Sequence, residues 1–371
     1  MESLLALMDE HRFDIDLFCI NQEDGPYKAK LHKYAVNRQN RLLWAFSTYL
    51  SEYRGMKKYL LLGVKGLRKV LIRTIRVDLF FWLLKREARK ISRANYDAVV
   101  AYAEGTVTQF VSQVESADLI AWIHMDFKRL GCAGHVDESK IYGRFHRIVI
   151  PSNFSRDSFI EVFPELADRT VAIPNLLDEK YIRDASRDDS GLDERFTADC
   201  FTILSVGRIC YEKRFFEIPR IASSLRRSGC KIKWYIIGGG SEPETNLLRQ
   251  NVRQEGVEDT VILLGAKDNP YPYLRRSDLV VCTSISETFS YVIGEAKVLG
   301  VPVVSTNFGT AKEVLDDRHG VIAELEEMAD AIAGLINDAS VYDRLKRNLK
   351  DYRYDNDKIL AKVYSLFEAH V

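Results

Sequence analysis

The chain has no two cysteines in C-x-x-C spacing. Its six cysteines, Cys19, Cys132, Cys200, Cys210, Cys230 and Cys282, lie mostly in apolar stretches, where a reduced thiol behaves as a small hydrophobe. This excludes a structural zinc site and points to a reducing, cytosolic compartment. Long hydrophobic runs are missing too: the longest, 59–64 and 79–84, are six residues each, against roughly 20 for a bilayer span. No transmembrane helix is predicted. Residues Met1 to Met8 carry no basic leader and no cleavage site, so no secretion signal is expected. Internal repeats and low-complexity tracts are absent. So is net charge, with 53 basic residues against 53 acidic ones.

A zero sum would by itself exclude a strongly electrostatic partner such as nucleic acid or an anionic membrane. It hides an asymmetry. Between Arg54 and Arg93 stand thirteen basic residues and only two acids, Asp78 and Glu87, so this window carries +11 and the remainder −11. On a helical wheel of about 100° per residue, Leu60, Val64, Leu67, Leu71 and Ile75 share one face. Lys58, Lys65, Lys69, Arg73 and Arg76 share the opposite one. Such a segment suits peripheral contact with an anionic membrane, and it equally suits an apolar face packed on its own domain with the charges in water. Nucleic acid is not expected as a partner, because the cations alternate with an apolar face and no base-stacking module accompanies them.

What is present reads as a globular chain of 371 residues, too long for one ordinary domain. Helical and strand patterns alternate, which predicts parallel sheets covered by helices. In the first half a helix is expected from Met1 to Arg12, a strand from Asp14 to Ile20, and a long helical region from Asn37 to Arg93. Strands follow at 98–102, 119–124, 147–151 and 170–173, and Ser152 is a suitable cap for a helix from Phe154 to Phe163. The segment 179–199 is polar and acidic and reads as a linker. Beyond it, strands at 201–206, 233–237, 261–264, 279–282 and 302–305 alternate with helices at 215–228, 243–255, 291–299 and 326–338. The expected domains are 1–178 and 200–352, with a last helix in 353–371 crossing back to the first. Doubly wound sheets bind ligands at the carboxyl ends of their strands, which places a site in the cleft between two such domains.

Two groups of residues carry chemistry. Strand 201–206 ends in Gly207-Arg208, and Lys213 follows; a glycine turn with a guanidinium and an ammonium can grip a diphosphate without a metal. Alternatively Arg208 belongs to an ordinary surface pair. The second group is Ser286-Glu287-Thr288-Phe289-Ser290-Tyr291-Val292-Ile293-Gly294-Glu295. Glu287 closes a loop after a strand, and Glu295 stands eight residues on, about two helical turns along. One carboxylate can face sugar hydroxyls and the other a ribose diol, while the helix start at Phe289, Ser290 and Tyr291 offers free amides to a phosphate. A capped surface helix with two unrelated glutamates is the competing reading.

Several stretches, in this order, together resemble a retaining glycosyltransferase of family 4 with the GT-B fold, of the bacterial surface-polysaccharide type. They are Gly207-Arg208 with Lys213, Gly238-Gly239-Gly240, Asn269-Pro270-Tyr271-Pro272-Tyr273, the E-x7-E pair Glu287 and Glu295, then Pro302-Val303-Val304-Ser305-Thr306 and Gly309. The resemblance covers 200–351 and extends less specifically through Ala101-Tyr102-Ala103-Glu104-Gly105, Ala121-Trp122-Ile123-His124 and Ile150-Pro151-Ser152. It implies an α/β fold of two Rossmann-like doubly wound domains facing a central cleft, the first for acceptor and the second for donor. Arg208 and Lys213 would grip the diphosphate, Glu295 the ribose and Glu287 the transferred sugar. Gly207 and Gly238 would back the donor, Leu264 and Gly265 would hold the base, and amides near Ser290, Tyr291 and Val292 would approach the phosphates. His124 matches a histidine near the donor sugar, with a hydrogen-bonded strand-end histidine as the alternative, and Asp126 is a candidate for acceptor hydroxyls. No cofactor or metal is implied beyond a nucleotide-sugar substrate, a UDP-sugar.

The acceptor would be a growing glycan, lipid-linked at the cytoplasmic membrane face. Thr288 and Ser290 stand where the family often has glycine, which implies a tighter or more polar sugar pocket. Members open with a strand and a Gly-Gly-x-Glu-like turn, whereas Met1-Glu2-Ser3-Leu4-Leu5 resembles the helix that follows. The first domain is therefore expected to lack its N-terminal strand. Two other functions stay open: a sugar-nucleotide epimerase of the same architecture, and a non-catalytic partner subunit.

Overall fold

The computed structural model describes residues 1–18, 55–75, 78–115, 117–127, 138–197 and 199–368. They form two compact units, one of residues 1–151, 158–173 and 360–371, the other of 152–157 and 174–359. The expected features at 37–54, with Arg76, Cys19, Cys132 and Ala369, lie outside the described residues.

The first unit is built on a parallel sheet of four strands in the order β1 (Ala98–Ala101), β2 (Asp118–Trp122), β3 (Arg147–Ile150) and β4 (Thr170–Ala172). Val99 stands opposite Leu119, Ala121 opposite Ile148 and Val149 opposite Val171. These strands are apolar on both faces, as a parallel sheet covered on both sides requires. Phe127, Tyr142, Phe159 and Phe163 close one end edge to face, with Phe127 and Phe159 centroids 5.1 Å apart.

The helix expected from Met1 to Arg12 is shorter, Glu2–Leu7, because Met8 turns extended and the polar residues after it are exposed. Of the strand expected from Asp14, the described part makes a single bridge at Leu17. The basic region holds two helices, α1 (Gly55–Ile75) and α2 (Leu79–Ser92). Asp78 starts the second: its carboxylate accepts the Phe80 amide at 3.0 Å and both prongs of the Arg68 guanidinium at 2.8 and 2.6 Å. α2 turns Phe80, Leu83, Leu84, Ala88 and Ile91 into the core. α1 uses only part of the apolar face expected of it: Val64 packs on the core beside the buried Leu61, which was not on that face, while Leu60 and Leu67 are exposed. Arg68 sets that rotation, since its pair with Asp78 and its place 4.7 Å from the Phe80 ring hold its side of the helix inward.

The second unit has six parallel strands in the order β10-β9-β8-β5-β6-β7. They are β5 (Phe201–Val206), β6 (Ile232–Ile237), β7 (Val261–Gly265), β8 (Leu279–Cys282), β9 (Val303–Thr306) and β10 (Gly320–Ala323). The chain starts in the middle, winds one way through β6 and β7, then returns to β8 beside β5. This doubly wound order has its switch point between β5 and β8. β10 has too short an apolar run to be read from sequence. Four expected helices are found, at Ile218–Arg227, Glu242–Gln254, Tyr291–Val298 and Met328–Asn337; those at Tyr271–Arg276 and Ala339–Lys350 were not foreseen.

The presumed linker 179–199 requires correction. It contains a helix, Glu179–Ala185, capped by the Asp178 carboxylate. Two of its acids are held by cations across the fold: Asp189 takes Arg275 and Arg276, and Asp193 takes Lys267 together with the nearby Arg195. Lys267 is 74 residues from Asp193, so no local pattern reveals the pairing.

Helix α3 (Asn153–Val162) begins where expected, with the Ser152 hydroxyl accepting the Ser155 amide at 3.2 Å. The last helix, α4 (Asn356–Glu368), has its residues from Leu360 onward in the first unit, where the Asp9 amide donates to Tyr364 Oη at 3.1 Å.

Candidate functional site

The carboxyl ends of β5 and β6 meet backbone to backbone. A Cβ on Gly238 would lie 1.7 Å from the Gly207 carbonyl oxygen, so only glycine fits there. The Gly207 amide donates to Ile237 at 2.9 Å and the Ile209 amide to Gly239 at 2.8 Å, which carries the ladder past the strand ends. Alternation along this extended stretch turns Ile209 into the core and leaves Arg208 exposed. The aliphatic stem of Lys213 passes over Gly207.

Lys213 ends a short 3-10 turn that Arg214 closes in the left-handed region, at φ 52°. Two bonds tie this loop to the loop after β8: the Thr283 hydroxyl donates to the Lys213 carbonyl at 2.7 Å, and the Ile285 amide to the Glu212 carbonyl at 2.8 Å. The loops are those of the two strands at the switch point. Their junction sets the Lys213 ammonium against the Glu287 carboxylate, with side chains only 22% and 11% exposed. Ser284 Oγ donates to the same carboxylate oxygen at 2.7 Å, and Thr310 Oγ1 to the Glu287 carbonyl at 2.9 Å. A half-sheltered pair with an added hydroxyl is held more firmly than a surface pair.

Phe289, Ser290 and Tyr291 lead into the helix Tyr291–Val298. Ser290 is its buried N-cap and makes no side-chain bond to it, and the first amides of a helix have no carbonyl within it to bond. The Phe289 and Tyr291 rings meet at 5.0 Å, and Val292 is half-buried. Glu295 follows on the same helix, half-buried, accepting Tyr271 Oη at 3.1 Å. Burial raises its carboxyl to about 7, against the opposing bond from Tyr271. Burial, with the Glu295 charge adding to it, raises the Tyr291 phenol to about 12.

Leu264 has its side chain in the core against residues such as Tyr273 and Leu274, and Gly265 is exposed at φ +75°. At this point of the edge strand the chain offers a ligand the backbone around Gly265 rather than the leucine side chain.

His124 and Asp126 belong to the first unit. β2 ends at Trp122, and the His124 amide donates to the Glu104 carboxylate. Its ring lies 4.9 Å from that of Tyr102. Burial, then the charge of the Met1 amino group, lowers the imidazole to about 4, so it is neutral at pH 7. Asp126 accepts the Ser158 hydroxyl at 3.0 Å.

Reading the sequence assigned no role to Ser284, Tyr271 or Glu104. Tyr271 and Glu104 lie within the motifs quoted for the family, and Gly105, at φ +69°, marks the turn beside Glu104. Nothing local distinguishes Ser284 from any other loop serine.

Residues 192–352, less than half of the chain, match the family model "Glycosyl transferases group 1". The chain is 25% identical over 297 residues to the N-acetylgalactosamine-N,N'-diacetylbacillosaminyl-diphospho-undecaprenol 4-alpha-N-acetylgalactosaminyltransferase of Campylobacter jejuni, covering 79% of this chain and 73% of that protein. It is 32% identical over 140 residues to the N-acetyl-alpha-D-glucosaminyl L-malate synthase of Bacillus anthracis, covering 37% of this chain and 34% of that one. Among solved structures, Anabaena Alr3699/HepE in complex with UDP and glucose superposes with a TM-score of 0.67 at 19% identity, over 94% of this chain and 90% of that one. The fold is GT-B, with two Rossmann-like α/β units. The family match and the bacterial relatives support a glycosyltransferase.

Proposed function

We propose that this chain is a retaining glycosyltransferase that moves a sugar from a nucleotide diphosphate donor, a UDP-sugar, to a growing glycan in bacterial surface-polysaccharide synthesis. The observation that carries the reading is the gathering of Lys213 and Glu287 on the loops of β5 and β8, with Arg208 exposed beside them. A doubly wound sheet presents its ligand site at that switch point.

In this reading the bond from the sugar C1 to the diphosphate oxygen breaks while a bond from C1 to an acceptor oxygen forms on the same face. The acceptor proton passes to the departing phosphate. Arg208 and Lys213 offset the charge that develops on the leaving group, with no metal required, and the amides of Phe289, Ser290, Tyr291 and Val292 add to this. Glu287, oriented by Lys213 and Ser284, accepts hydrogen bonds from the sugar hydroxyls. Glu295 accepts those of the ribose. His124, neutral at pH 7, serves as a hydrogen-bonding group for the donor sugar rather than as an acid, and Asp126 meets acceptor hydroxyls.

Thermal-shift measurements against UDP-, GDP-, ADP- and dTDP-sugars test this. One class, UDP, is expected to stabilise the protein by about 2.7 kcal/mol at roughly a hundred times its Kd. Arg208→Ala, an exposed site, should abolish that gain without lowering the unliganded Tm. Absence of stabilisation by any nucleotide refutes the proposal, and turnover that never requires an acceptor reassigns the chain as an epimerase.

A further inference from the structure

Two helices of the first unit carry apolar side chains on their outer faces. α1 reaches its own core through Leu61, 2% exposed, whereas Met56 is 87% exposed, Tyr59 74%, Leu60 68%, Leu67 54% and Val70 55%. At about 100° per residue these five positions fall on one stripe, on the far side of the helix from Leu61. On α2, Trp82, 53% exposed, lies opposite the buried face, and Phe81, 39% exposed, lies at the edge of it. Single exposed hydrophobes are ordinary, but a contiguous stripe marks a surface that meets something.

Among the described residues of these two helices the exposed charges are basic. Lys69, Arg73, Lys85, Arg86, Arg89 and Arg93 are exposed. Both acids of the window are engaged, Asp78 by Arg68 at 2.6 Å and Glu87 by Lys90 at 2.7 Å. On α2 the Lys85 ammonium lies 5.3 Å from the Phe81 ring centroid and the Arg86 guanidinium 5.8 Å from that of Trp82, so cation and aromatic share a face. A nucleic acid would match the cations and leave the leucines unburied. A second copy of the chain would bury the leucines and bring like charges together. A surface with an apolar interior beneath anionic head groups satisfies both features.

The geometry points to α1 and α2 as the docking face for an anionic lipid bilayer, with Tyr59, Leu60, Leu67 and Trp82 entering the head-group layer. Among the described residues no helix is long and apolar enough to cross a membrane, so the contact lies in the interface. This inference does not rest on the donor reading, since it involves none of the residues assigned to nucleotide.

Flotation of the full chain with vesicles of phosphatidylcholine, alone or with phosphatidylglycerol, tests it. Binding is expected to the anionic vesicles at low salt and to weaken at high salt, with a blue shift of emission that Trp82→Phe removes. Lys85→Glu with Arg86→Glu should weaken partitioning at least about tenfold, and Leu67→Ser should weaken it without any change in charge. The thermal shift with nucleotide should be unchanged in these variants, which separates this inference from the proposed activity. Equal flotation with neutral vesicles, no flotation, or full binding by the charge-reversed variant overturns it. So does a dimer that Leu67→Ser dissociates, which would assign the stripe to a second copy.

Discussion

Glu295 is an acid whose surroundings favour its proton. Its carboxyl rises from 4.5 to about 7 because burial disfavours the charge. A folded-state pKa above the unfolded one means that the native state binds more protons between pH 4.5 and 7. Stability is therefore lost as pH rises through that window and levels off above it. Glu295→Gln keeps the shape and removes the titration, so the variant should gain on the parent by on the order of 2 kcal/mol between pH 4.5 and 8. Urea midpoints at several pH values check this, and equal slopes for the two proteins would count against it. A ribose diol donating to the carboxylate favours its charged form, so saturating nucleotide should flatten the parent's slope. The E-x7-E spacing was legible in the sequence; the shift was not, because it depends on what buries the carboxyl and on Tyr271, 24 residues away.

At the scale of elements, α3 is held from outside itself. The Glu313 carboxylate accepts the Asn153 amide at 2.8 Å and the Phe154 amide at 2.7 Å, and also the Asn153 side chain at 3.1 Å. Gly309, four residues earlier, has the Phe154 ring 2.2 Å from where its Cβ would be, so that loop packs directly on the helix start. Glu313→Ala strands two amides while Ser152 still caps a third, and should cost about 1 to 2 kcal/mol in urea denaturation, partly recovered in Glu313→Gln. No loss in the alanine variant would show that water replaces the carboxylate. Periodicity located α3 and Ser152 its cap, but the partner of the helix start is 160 residues away. The same limit applies to α1, whose wheel shows an apolar face. Which face packs was decided by Arg68, Asp78 and Phe80 together.

At the scale of the molecule, the two units have separate cores. That of the first gathers α2 and the sheet around residues such as Leu84, Ile148 and Phe159. Among the described residues that of the second lies mainly in two clusters that share no residue, one containing Trp234 and the other Tyr235. Compact units with their own cores behave as separate cooperative blocks, so calorimetry is expected to resolve two transitions, one for each unit. A nucleotide held by the loops of β5 and β8 should raise only one of them. A single transition that moves as a whole would contradict this.

The sequence by itself determined the alternation of strands and helices, the doubly wound class and the basic window. It also placed Arg208, Lys213, Glu287 and Glu295 at strand ends and on the helix that follows, because periodicity, glycine turns and charge are local properties. Tertiary structure alone decided that Lys213 pairs with Glu287, that Asp189 and Asp193 meet distant cations, and that the apolar stripe of α1 points away from its own core. These depend on partners from ten to nearly ninety residues apart, whose meeting follows from how the elements pack and not from the pattern of any one of them.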